Sequence, residues 1–338
     1  MRRFFGWAGA ALLAGVLLAI VYVAVQIQRR PSLEPYRTLT LPEAAPVPGE
    51  LRVRFAGVAT LLFDDGETAW MTDGFFSRPG LKQTFTSRIA PDAAAIEREL
   101  RHLGTAKLAA VIPVHSHYDH ALDAPVVAQR SGALLVGSAS TLNIGRGLKL
   151  PESQMREVKS GDTLRLGKFT ITFIESRHSP TPLNDGVTQE TIDAPLTPPA
   201  RATDWRTGSV WSLLVEHEGR RLLVQGSAGF VPGALAGRRA DVVFLGVGTL
   251  GKKSEAYRAS YWSEVVKSVG AKRVIPVHWD DFWLPLSEPL QAMPLLFDDF
   301  GVSMADLSRR AAQDGVELRL PPTFLPFAPF APAAPSAP

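Results

Sequence analysis

Four potential metal ligands lie within six consecutive residues, His115-Ser116-His117-Tyr118-Asp119-His120. They follow directly on residues 108–114, a continuous apolar run of the kind found in strands covered on both faces. In extended chain, positions i and i+2 project to the same side, so His115 and His117 can grip one cation. Asp119 and His120 fall on the turn that follows and can be directed to a second. Imidazole and carboxylate are natural ligands for Zn2+, with Zn–N bonds of about 2.0–2.1 Å. Cysteine is absent. A disulfide framework, a thiolate nucleophile and Cys-ligated metal are therefore excluded, and any transition-metal site must use His and carboxylate.

His115-x-His117-x-Asp119-His120 resembles the HxHxDH motif of the metallo-β-lactamase superfamily. The resemblance implies a four-layer αβ/βα sandwich with one or two metals at its edge. Other parts of the pattern follow in order. Asp73, in Trp70-Met71-Thr72-Asp73-Gly74, is similar to the early Asp that ends a strand and braces the motif loop. His178, in Ser176-Arg177-His178-Ser179-Pro180, matches the third histidine of the first metal site, beside His115 and His117. His278, in Ile275-Pro276-Val277-His278-Trp279, matches the last histidine of the second, beside Asp119 and His120. The similarity spans roughly residues 50–280. It is greatest to the branch of UlaG-like lactonases and N-acylphosphatidylethanolamine phospholipase D-like hydrolases, through Thr72-Asp73 and residues 208–230.

One position departs from the pattern. Ser227, in Gln225-Gly226-Ser227-Ala228, stands where the family usually has an Asp bridging both metals. A neutral hydroxyl is a much weaker ligand than a carboxylate. The second ion is then held by Asp119, His120 and His278 alone, or is bound weakly, or the site is degenerate.

The implied activity is zinc-dependent hydrolysis of an ester, lactone, amide or phosphodiester by metal-bound hydroxide. Asp119 is expected to orient the nucleophile or receive its proton. Two alternatives stand beside it: a β-lactamase with a Ser-variant second site, and a degenerate metal-binding protein on a membrane. A Ser/His/Asp hydrolase is disfavoured, because residues 226–229 lack the full nucleophile-elbow pattern. The expected substrate is a small or lipid-like molecule. Nucleic acid is not expected, since the net charge is only +3 and the basic residues are scattered.

Around the motif, the pattern predicts a folded domain over residues 50–320. Short strands are expected at 51–55, 59–63 and 69–72, with Asp64-Asp65-Gly66 turning between the last two. Residues 92–103 read as a helix with Ala95, Ile96, Leu100 and Leu103 on one face. Further strands are expected at 169–174, 209–215, 221–224, 242–245 and 273–277, and a helix at 255–269. Residues 179–207 lack periodicity and read as a wall or lid over the metals, with Trp205 as an apolar contact. Phe282, Trp283, Leu284, Leu286 and Leu290 either line the same cleft or pack in the core, with packing the favoured reading. His102 and His217 are expected at the surface. Asp123, Asp280 and Asp281 are read either as orienting groups behind the ligands or as solvated or helix-capping residues.

The ends differ from the middle. Residues 4–25 are almost wholly apolar, flanked by Arg2, Arg3, Arg29 and Arg30. The run predicts an uncleaved transmembrane anchor over residues 1–30, with the catalytic domain outside the cytoplasm. Residues 31–49 read as a proline-rich tether and 321–338 as an extended or disordered Pro/Ala tail.

Overall fold

The computed structural model describes residues 2–45, 47, 49–105, 107–181 and 186–331, with side chains from residue 12 onward. After helix α1 (Arg2–Gln28), strands β1 (Arg52–Phe55), β2 (Leu61–Asp64) and β3 (Ala69–Thr72) form a meander. Helix α2 (Leu81–Thr86), the short β4 (Arg88–Ile89) and helix α3 (Ala93–His102) lead to β5 (Ala110–Ile112). The first half closes with α4 (Tyr118–Ala121), α5 (Ala124–Ser131), β6 (Leu134–Gly137), α6 (Ala139–Gly147) and β7 (Met155–Glu157). The second half runs β8 (Thr163–Leu166), β9 (Phe169–Ser176), β10 (Ala200–Arg201), β11 (Val210–His217), β12 (Arg220–Gln225) and β13 (Val242–Gly246). It ends with α7 (Glu255–Trp262), β14 (Arg273–Val277), α8 (Phe300–Asp314) and β15 (Glu317–Leu318).

Two mixed sheets result, ordered β1-β2-β3-β5-β6-β7 and β15-β14-β13-β12-β11-β9-β8, while β4 pairs with β10. Alternation along the strands explains how the first sheet is packed on both faces. Phe63, Trp70, Ala110, Ile112 and Val136 join the second sheet in the main core. Their neighbours Leu62, Met71, Val111 and Leu135 point the other way, against Ile96 of α3 and Val127 of α5. The second sheet is covered by Trp262 of α7 and by Phe300, Met304 and Leu307 of α8. Helix, sheet, sheet, helix is the layering expected.

Local chemistry sets the element ends. The β2–β3 hairpin pairs Phe63 with Trp70 and turns at Gly66, whose φ of +85° suits glycine. Asp92 caps α3 by accepting the N–H groups of Ala94 and Ala95. The helix expected over 255–269 stops at Trp262 and continues as a π-helical turn, Ser263–Lys267.

The N-terminal expectation needs correction. Among the described residues, no helix is long and apolar enough to cross a membrane. The transmembrane helix, the single-pass anchor and the location inferred from them are not supported. A hydrocarbon core of about 30 Å needs about 20 consecutive apolar residues. The apolar run is closed by Gln26, Gln28, Arg29 and Arg30. Their backbone and side chains bond to the folded domain: Leu296 N–H donates to Gln26 C=O and Leu295 N–H to Arg29 C=O.

The proline-rich flanks also lie along the domain. Leu41 N–H donates to Leu320 C=O at 2.9 Å, and Phe327 bridges Val53 with its ring fully buried. Residues 46, 48 and 332–338 of the expected tether and tail, and 182–185 of the expected lid, lie outside the described residues.

Candidate metal centre

The motif leaves the sheet at the end of β5. His117 is the N-cap of α4, so Asp119 and His120 sit on that short helix. His178 follows β9 and His278 follows β14. All six residues meet. The side-chain donor atoms of His115, His117 and His178 lie within 4.8 Å of one another, as do those of Asp119, His120 and His278.

The hydrogen bonds define which nitrogens face inward. His120 Nδ1 is 2.7 Å from Asp73 Oδ2; a carboxylate accepts, so Nδ1 carries the proton and Nε2 is left for a ligand. His178 Nδ1 likewise donates to Ser179 C=O at 2.8 Å, freeing its Nε2. His117 Nε2 bonds the Thr207 hydroxyl at 3.0 Å, and its Nδ1 stands 3.1 Å from His115 Nε2. Asp119 Oδ2 lies 3.4 Å from His120 Nε2 and 3.3 Å from His278 Nε2. The Nδ1 atoms of His115 and His278 are buried without a hydrogen-bond partner among the described residues.

Electrostatics suit a cation. Burial, and then the neighbouring imidazoles, push His115 well below its ordinary pKa. Burial likewise lowers His117 to about 4 and His178 to about 3, so these rings stay in the neutral, ligating form. Burial alone would raise Asp119, but the charge of His120 and the hydrogen bond from His278 hold it well below the usual carboxylate range. His120 moves the other way: burial lowers it, yet the Asp73 and Asp119 carboxylates outweigh that and raise it. The second cluster thus attracts positive charge to the space between Asp119 and His120. Three neutral imidazoles beside a carboxylate-bearing triad fit one or two divalent ions.

Two strained corners hold the ligands. Asp73 has a φ of +56° and also accepts Val114 N–H through Oδ1 at 2.9 Å, fastening the start of the motif. His278 has a φ of +60°, and its N–H donates to Val58 C=O at 2.6 Å. Val58 N–H donates back to Asp280 Oδ1 at 2.7 Å, and Asp280 Oδ2 pairs with Arg78 at 2.7 Å, both side chains fully buried. A Cβ on Gly57 would stand 1.9 Å from an Arg78 nitrogen, so the loop passes over the ion pair only as glycine. Such positive-φ residues persist where surrounding contacts over-determine them.

A cleft of about 600 Å3 opens over His117, Asp119, His178 and His278. Phe85, Tyr118, Phe282, Trp283 and Phe297 line it, together with Ser227, Lys252 and Lys253. Phe282 and Trp283 are therefore cleft residues rather than core, while Leu286 packs in the core as expected. Trp205 is not a cleft contact; it is buried with Ile89 and Ile144. From the same stretch it is Thr207, behind His117, and Ser179 and Thr181 that reach the site.

Ser227 lines the cleft and accepts Ser179 N–H at 2.9 Å. Asp123 is buried, accepting Phe76 N–H and the Ser77 N–H and hydroxyl, with no capping bond to α5. Asp280 orients the His278 corner, and Asp281 pairs with Arg30. His217 is not at the surface: it is buried and bonds Asp65 at 2.9 Å, because its turn folds against the β2–β3 hairpin. His102 is exposed and stacks on Phe324. Arg78, Thr207 and Asp298, whose carboxylate accepts Thr249 and Gly251 N–H, were not legible as site residues. Nothing in their local pattern marks them; only the meeting of distant loops does.

Known proteins place this arrangement. The chain is similar to a UPF0173 metal-dependent hydrolase of Myxococcus xanthus, 27% identical over 143 residues, 40% of this chain and 47% of that protein. It is 31% identical over 93 residues to a UPF0173 metal-dependent hydrolase of Rhizobium meliloti, 27% of this chain and 38% of that one. The matches thus span less than half the length of these curated relatives. Among solved structures, CmlA, a diiron beta-hydroxylase from Streptomyces venezuelae, shares the fold with a TM-score of 0.50 at 15% identity, covering 83% of this chain and 54% of CmlA. Residues 81–279, more than half the chain and including all six clustered residues, match the family described as beta-lactamase superfamily domain. The resemblance read from the HxHxDH motif therefore holds, and the chain belongs to the beta-lactamase superfamily.

Proposed function

We propose that this protein is a metal-dependent hydrolase whose centre takes zinc, with His115, His117 and His178 holding one ion and Asp119, His120 and His278 a second. The observation that carries this reading is the pair of adjacent donor triads at the floor of one cleft. The curated relatives' description as metal-dependent hydrolases supports the same reaction class.

Bound there, a divalent ion supplies Lewis acidity, lowering the pKa of water towards neutrality and stabilising negative charge that develops on the bond under attack. The chain's own residues prepare this. Ser179 C=O and Thr207 fix the rings of His178 and His117, and Asp73 fixes His120. Asp119 keeps an ionised carboxylate in the cleft, able to orient the attacking water and take up its proton. Phe282, Trp283 and Tyr118 seat an apolar part of a small-molecule substrate and exclude solvent. The bond cleaved is an ester, lactone, amide or phosphodiester.

The neutral hydroxyl of Ser227 beside the ligands also favours a second reading, a β-lactamase with a Ser-variant second site. The test couples elemental analysis to turnover of phosphodiester, lactone, ester and β-lactam substrates by the wild type and His115→Ala. One or two zinc ions per chain and activity lost in the variant are expected. Iron in place of zinc would refute the metal assignment, and unchanged activity in His115→Ala would refute the mechanism. Nitrocefin turnover decides for or against the β-lactamase.

A further inference from the structure

The loop that carries His278, Phe282 and Trp283 is fastened from outside by the last turn of α1 and the residues after it. Arg30 directs Nη2 at 2.6 Å and Nε at 3.2 Å to Asp281 Oδ2. The Asp281 side chain is only 2% exposed, and among the described residues Arg30 is the side-chain cation paired with it. Its neighbour Asp280 already has Arg78. The other Asp281 oxygen accepts Trp283 N–H at 3.1 Å. The returning limb of the loop is held as well: Leu295 N–H donates to Arg29 C=O at 2.8 Å and Leu296 N–H to Gln26 C=O at 3.2 Å. Asp281 N–H joins the limbs by donating to Gln291 C=O at 2.7 Å.

Inside the cleft the same loop touches the ligands. The Phe282 ring stands edge-on to His278 at 5.7 Å between centroids. Trp283 Nε1 donates to the Tyr118 hydroxyl at 3.2 Å, and Tyr118 precedes Asp119. Asp281 is three residues from His278, whose left-handed backbone is over-determined by its neighbours, Val58 C=O among them.

We propose that Arg30 is a positioning residue for the Asp119/His120/His278 triad and its aromatic wall, which makes the end of α1 a working part of the site. The inference rests on reading that triad as a metal site. Without the guanidinium, Asp281 is a buried carboxylate with no cation paired to it among the described residues. It escapes by turning to water, which releases Trp283 N–H and loosens the path back to His278. The first triad, His115, His117 and His178, has no contact with this loop through Arg30 and keeps its geometry.

The test compares full-length wild type, Arg30→Ala and Arg30→Lys. Metal-free protein is titrated with Zn2+ against a chelator, and amide exchange is followed over residues 279–297. Arg30→Ala is expected to weaken the second zinc by about tenfold, the lower end of the loss seen when an outer-shell partner is removed, and to leave the first unchanged. Exchange over 279–297 rises at least about tenfold while residues 210–225 keep their protection. Arg30→Lys restores most of both, and adding Asp281→Asn to Arg30→Ala brings no further loss. Unchanged exchange and second-zinc affinity overturn the proposal, as does an equal loss at both zincs with deprotection of residues 210–225. A wild type that binds no zinc refutes the metal reading instead, and the exchange data then decide whether Arg30 positions the aromatic wall.

Discussion

Replacing Asp73 removes two buried bonds made by one carboxylate. Its Oδ2 fixes His120 at 2.7 Å and its Oδ1 accepts Val114 N–H at 2.9 Å, in a fully buried position. Asp73→Ala leaves a ring N–H and a backbone N–H buried without acceptors, each a loss of about 1–3 kcal/mol. Unfolding free energy should fall by about 2–6 kcal/mol on that basis. His120 also loses the partner that orients its Nε2, and such losses reduce metal affinity by about 10–100-fold. Asp73→Asn retains one acceptor oxygen, so it can satisfy Val114 or His120 but not both, and should fall near the smaller limit. Chelator competition with zinc, read for each site, and urea unfolding of the metal-free protein measure the two effects separately. The expected order for second-ion affinity is wild type, Asn variant, Ala variant, with the first ion little changed. Equal weakening of both ions, or an Ala variant as tight as the wild type, would falsify the argument that Asp73 acts through His120.

Three further predictions concern other parts of the site. Arg78→Ala breaks a fully buried ion pair with Asp280 and should destabilise by about 3–5 kcal/mol; adding Asp280→Asn should recover part of that, and additive losses in denaturant melts would contradict the pairing. Ser227→Asp places a carboxylate in the cleft and should tighten the second zinc by about tenfold, roughly one charge-assisted contact; no gain on titration would mean that residue 227 does not face the second site. Burial raises the Asp123 carboxyl to about 6 from 3.8. The folded state therefore holds a proton that the unfolded chain releases: its contribution is full below pH 3.8 and is lost as pH rises through about 6, by about 3 kcal/mol. Asp123→Asn should abolish that part of the slope of unfolding free energy between pH 4 and 6, and an identical slope in both proteins would overturn it.

What could be read along the chain is what local pattern encodes. The apolar run before His115 made a strand, the i and i+2 spacing put two imidazoles on one side, and Asp92 and Gly66 marked a helix start and a turn. The layered fold and the six clustered residues followed from the motif and its order. Tertiary structure decided the rest, because the deciding contacts join residues far apart in sequence. Arg78 meets Asp280 across 202 positions and Arg30 meets Asp281 across 251. His217 looked like a turn residue until the β2–β3 hairpin covered it, and Trp205 looked like a lid until it entered a core cluster. Phe282 and Trp283 could have packed anywhere apolar; the loop tied to α1 turns them onto the cleft. An apolar N-terminal run suggested a membrane span, but hydropathy in a window says nothing of the polar residues that end it or of the loop they bind. Spacing of 2 or 3.6 residues fixes which way a side chain points from its own element; burial and counter-charge depend on which distant segment arrives opposite, and no local period records that.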